Sequence, residues 1–198
     1  IDDVEAATTV CGFALLSKAN ASTGWRACVR CLERSSVLHC NQAEADSVVL
    51  VLSTCLKVGG GSAAVDGIFA KLRMVSTSPH VVAELCDVLC KLSRRRSSAS
   101  EFVRSKIDIV FARSLSANHL TKVITFLQSD SERAASGIIA SDASLHVLWS
   151  ALESKIDRLS PAAIISVLKF TPTPVAHAVV EGIGNIIKEL PPNALLPV

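Results

Sequence analysis

The chain has 198 residues, 49% hydrophobic and 19% charged, a balance that supports a buried core and excludes an intrinsically disordered chain. A formal net charge of +2 and aromatics at 4%, with no Tyr, advertise neither a strongly basic nucleic-acid binder nor a surface rich in rings for stacking bases. Seven Cys, an odd number scattered over apolar positions, read as reduced thiols in an intracellular reducing compartment and not as a secreted disulfide framework.

Taken along the chain, the first helix is expected to begin at Asp3 and its partner to span roughly 23 to 38, carrying Arg26, Arg30 and Arg34. Residues four apart share a helix face, so these arginines form one stripe. A second pair starts at Asn41 and resumes after Gly59-Gly60-Gly61-Ser62, over 62 to 75. The third starts at Ser78-Pro79 and continues over 99 to 114; the fourth starts at Ser116-Ala117 and continues over 142 to 158. The fifth starts at Ser160-Pro161 and, past Pro172-Thr173-Pro174, continues over 174 to 189, and a sixth opens at Pro191-Pro192. Asp, Asn and Ser are good N-caps and Pro fits a first helical turn, which gives each start a mechanism.

These starts are 38, 37, 38, 44 and 31 residues apart, a mean of about 37 to 38 that is a helical-repeat period. They divide the chain into repeats at 3–40, 41–77, 78–115, 116–159, 160–190 and an incomplete 191–198. A true repeat puts the same chemistry at the same place. The fourth, seventh, eighth and tenth residues after each start are expected to be buried: Ala7, Val10, Cys11 and Phe13, then Ala45, Val48, Val49 and Val51, then Val82, Leu85, Cys86 and Val88. The later sets are Leu120, Val123, Ile124 and Phe126, and Ile164, Val167, Leu168 and Phe170. All are apolar, as one buried helix face requires. The expected fold class is all-α, a right-handed-type solenoid of stacked helical hairpins, five pairs plus the start of a sixth, forming a single array over 1–198. Ile1 opens directly into a repeat and Val198 falls at a position expected to be buried. The chain is therefore expected to be a fragment of a longer protein, its ends covered by more chain or a partner.

From Leu145 to Phe170, and most visibly at Leu159-Ser160-Pro161, the sequence resembles the junctions of organellar helical-hairpin repeat proteins of the octotricopeptide, heptatricopeptide and FAST-kinase-like families. Phe126 and Phe170 stand where those families usually have Trp. The resemblance implies a mitochondrial factor that binds RNA, other protein subunits, or both, within a transcript-processing or editing complex. HEAT and armadillo repeats of comparable length imply a protein–protein scaffold instead.

Candidate RNA contacts are Arg26, Arg30 and Arg34 together with Arg94, Arg95, Arg96 and Arg104; acidic residues fall largely on the first helices, at Glu5, Glu44, Asp46, Glu84 and Asp87. The bland alternative is a solvated charged face. Cys28 and Cys31, with His39 and Cys40 beyond, have a zinc-like spacing but fall inside a helix pattern without a second well-spaced pair, so no metal is expected. His80, His119, His146 and His177 lie apart from any nucleophile arrangement, and the glycine run lacks the Lys-Ser or Lys-Thr of a phosphate loop. The chain is accordingly expected not to be an enzyme, to need no cofactor or small-molecule substrate, and, lacking an uninterrupted apolar run of about 18 residues, to have no membrane partner.

Overall fold

The computed structural model describes residues 3–16, 21–58, 63–92, 97–134, 143–160, 163 and 184. These residues form nine α-helices, two short 3-10 turns and no strand, so the fold is all-α as expected. The chain divides into two compact units, Ile1–Ile107 and Asp108–Val198.

The first unit contains α1 (Val4–Leu16), α2 (Ala21–Arg34), α3 (Gln42–Lys57), α4 (Ala63–Leu72), α5 (Pro79–Cys90) and α6 (Ser97–Lys106). The first helices begin one residue after the expected starts. Asn41 closes a capping box: its side chain accepts from the Glu44 amide at 3.0 Å while its own amide donates to Glu44 Oε2 at 2.7 Å, which satisfies two otherwise orphaned donors. Asp3 accepts from the Glu5 amide at 2.8 Å. Ser78 departs from the expectation that its hydroxyl caps its own helix. Its amide donates to Asp46 Oδ1 at 2.7 Å and its hydroxyl to Asp46 Oδ2, so a carboxylate of α3 fixes the start of α5.

Helix α1 packs on α2 and α3, and α3 on α5, while α2 packs on α4 and α4 on α6. First helices thus line up in one layer and second helices in another. Between them lie Leu32, Leu52, Leu56, Ile68, Phe69, Leu72, Leu85 and Phe102, all sealed from solvent. Each such side chain stabilises the fold by about 1.5–3 kcal/mol. The Phe69 and Phe102 rings meet at 5.6 Å between centroids and tie α4 to α6. Where α2 crosses α1, a side chain on Gly24 would stand 3.1 Å from the Ala14 carbonyl oxygen, so the close approach favours glycine there.

Lysines join successive second helices end to end. Lys71 Nζ donates to the Glu33 carbonyl at 3.3 Å, and Lys106 Nζ to the carbonyls of Leu72, Arg73 and Val75 at 2.9, 3.0 and 2.5 Å. Helix C-termini leave carbonyls without partners and carry partial negative charge, which an ammonium satisfies on both counts. At the opposite end of the same pair, Ser98 donates to Asp66.

The expected burial holds for every position named in α3 and α5 but not throughout α1, where Ala7 and Cys11 are buried while Val10 and Phe13 are 53% and 71% exposed. The correction follows from packing. Helix α3 lies between two first helices, whereas α1 has such a neighbour, α3, on one side.

In the second unit, α7 (Ile109–Ser114), α8 (Ala117–Ala134) and α9 (Ala143–Glu153) are followed by a 3-10 turn at Ile156–Arg158. Helix α9 packs on α7 and α8. The single helix expected over 99–114 is instead α6 and α7, because Asp108 adopts extended backbone and accepts from the Phe111 amide at 2.7 Å, capping a new helix. Leu120, Val123, Ile124 and Phe126 are buried as expected. Lys155 Nζ donates to the carbonyls of Arg113 and Leu115 at 2.7 and 2.5 Å, reproducing the lysine device of the first unit. Ile164, Val167, Leu168 and Phe170, the helix expected at 174–189 and the start at Pro191 lie outside the described residues.

Candidate nucleic-acid interface

Helix α2 has two chemically distinct faces. Cys28, Val29 and Leu32 are buried, at the spacing that turns one stripe of a helix into a core. Arg26, Arg30 and Arg34 are exposed on another side. Among the described residues none of these arginines has a carboxylate or carbonyl partner. Glu33 is the one acidic residue of the helix, and it gives its carbonyl, not its carboxylate, to Lys71. Four residues of helix advance about 6 Å along the axis, so the guanidinium groups form an evenly stepped row. Each presents a planar fork of donors suited to phosphate oxygens.

Of the other expected contacts, Arg104 lies on α6, half-buried and engaged by a neighbouring group. Helix α4 packs between α2 and α6, so Arg104 does not extend the row directly. Arg94, Arg95 and Arg96 lie outside the described residues. Arg73 is paired with Glu101 at 2.7 Å, and Lys91 with Asp87 at 2.7 Å. The acidic residues of the first helices are also less free than the sequence implies: Glu44 caps α3 and Asp46 holds Ser78.

The cysteines serve the core. Cys11 Sγ faces the Cys28 carbonyl and Cys28 Sγ the Cys11 carbonyl, each at 3.5 Å. Burial, reinforced by the neighbouring Cys28, pushes the Cys11 thiol far up; the same causes raise Cys55 to about 12, and burial raises Cys86 as well. Such thiols stay protonated and poorly nucleophilic. Cys40 donates to the Val37 carbonyl at 2.9 Å. Among the described residues no three His, Cys, Asp or Glu side chains are grouped to hold a metal ion, and no helix is long and apolar enough to cross a membrane.

Sequence reasoning missed the role of Asp46, Asp66, Lys71, Lys106 and Lys155, whose contacts join successive helices. A recurring signal was present: Asp46 precedes Ser78 by the same interval, 32 residues, that separates Asp66 from Ser98. It also missed Trp25, half-buried at the start of the arginine row, with the Arg26 guanidinium 5.5 Å from its ring centroid. No protein-family model, curated protein or solved structure matches this chain, and the α2 face must be interpreted from its own chemistry.

Proposed function

We propose that the chain is a section of a right-handed α-solenoid acting as a non-enzymatic RNA-binding module, with the α2 arginine row holding phosphates. The observation that carries this reading is the exposed, evenly stepped row of Arg26, Arg30 and Arg34, free of internal ion pairs. Uncommitted guanidinium groups at this spacing suit a repeating polyanion, since each phosphate met displaces counterions. The two-layer order of α1 to α6 supports the solenoid, because each helix packs mainly on helices of its own or an adjacent expected repeat. The Leu159-Ser160-Pro161 junction supplies the setting by resemblance: a mitochondrial RNA-processing or editing complex with other protein subunits.

A scaffold for protein partners is the second reading. It is favoured by Leu38 and Met74, apolar residues 53% and 84% exposed beyond the ends of α2 and α4.

The discriminating experiment is fluorescence anisotropy with two short labelled RNAs of unrelated sequence at low salt. Replacing Arg26, Arg30 and Arg34 with Glu should weaken binding of both by roughly tenfold or more, with helicity by circular dichroism unchanged. Equal binding by the variant, or no binding by the wild type, would remove the RNA reading and leave the scaffold.

A further inference from the structure

Trp25 and Arg26 form a cation–π pair at one end of the arginine row. Trp25 heads the stripe that continues through Cys28, Val29 and Leu32 into the core. Its indole is therefore anchored at the border between the buried and open faces of α2. The Arg26 guanidinium lies over this ring at 5.5 Å from its centroid, while the Arg26 side chain is exposed. Cation–π attraction holds a guanidinium against an indole without using its outer face. A planar cation so held offers a surface on which another planar π system can lie.

We propose that Trp25 and Arg26 are a base-stacking platform, so that the α2 face takes single-stranded rather than duplex RNA. This rests on the phosphate-binding reading above and deepens it. A strand running along α2 places successive phosphates on Arg30 and Arg34 and lays one unpaired base against the Arg26–Trp25 layer. Duplex RNA fails this requirement, because its bases are stacked within the helix and its deep, narrow major groove keeps side chains from their edges. Stacking on one platform discriminates weakly among bases, since every base has a π face. The site therefore selects strandedness rather than sequence.

The test compares three probes on the whole chain at low salt: a short single-stranded RNA, the same strand made abasic, and a duplex of equal length. The intact single strand should bind roughly tenfold more tightly than either of the others, the scale of one base–aromatic stack. Only the intact strand should quench tryptophan emission, since the chain has two Trp and Trp149 is buried. Trp25→Leu, which keeps an apolar group at the border, should abolish the preference while leaving the salt-dependent binding common to all three probes. Equal affinity for the abasic strand or the duplex, or an undiminished preference in Trp25→Leu, overturns the platform and leaves phosphate binding standing. Failure of all three probes to bind overturns both. The abasic and duplex comparisons use the wild-type protein, so they decide the matter even where Trp25→Leu misfolds.

Discussion

Helices α2 and α6 both carry cations but use them in opposite ways. On α6, Lys106 is partly buried, donates to three carbonyls at the end of α4 and lies over the Phe102 ring, 5.3 Å from its centroid. Arg104 is half-buried and engaged. On α2, three arginines point outward and none has an acidic partner among the described residues. Positive charge on a helix surface therefore does not by itself mark a binding site. What separates structural from available cations is whether backbone carbonyls or carboxylates already satisfy their donors. An ammonium works as a clasp because its donors converge from one compact point, whereas an outward guanidinium row keeps its forks for an external anion.

The contrast predicts different consequences for cation removal. Lys106→Met should destabilise the first unit by about 2 kcal/mol, because it keeps most of the apolar stem but leaves two partly buried carbonyls, those of Leu72 and Val75, without their charged donor. Urea denaturation checks this, and an unchanged midpoint would mean that the clasp contributes nothing. The core where Cys55 of α3 lies beside Cys28 of α2 should show itself through alkaline pH. Cys55 has its thiol raised from the ordinary 9.0 to about 12, chiefly by burial, so the folded state holds its proton where the unfolded state releases it. That stabilisation is complete below pH 9.0 and lost as pH rises toward about 12. Thermal melts should fall through this window, and Cys55→Ala should make the fall shallower. The smallest effect is expected on the outer face of α2: replacing Arg26, Arg30 and Arg34 with Ala should leave stability within about 0.5 kcal/mol of wild type. A larger loss in the same urea assay would show that these arginines, too, are structural.

Much of the architecture was legible because it depends on local signals. The caps at Asp3, Asn41 and Ser116 and the periodic burial from Ala45 to Val51 and from Leu120 to Phe126 are each set within a few turns of chain. The break between α6 and α7 was harder to see, since the cap formed by Asp108 lies inside a continuous helical pattern. Exposure of Val10 and Phe13 depends on whether a neighbouring helix exists, which periodicity alone does not encode. For the candidate site, the stripe of Arg26, Arg30 and Arg34 was readable from spacing. The engagement of Lys71 and Lys106 was not, because their acceptors are backbone carbonyls at the end of another helix. Nor was the Trp25–Arg26 layer, since adjacent residues on a helix do not ordinarily face each other.

The central claim, that α2 presents cations free to meet phosphates, is tested most directly by the salt dependence of RNA affinity. With Arg30 and Arg34 each neutralising a phosphate of a single strand, log K should fall against log salt with a slope of about −1.4 for the wild type. For the variant with Glu at positions 26, 30 and 34, the slope should be close to flat. Equal slopes for the two proteins would contradict the claim and place any RNA contact elsewhere on the chain.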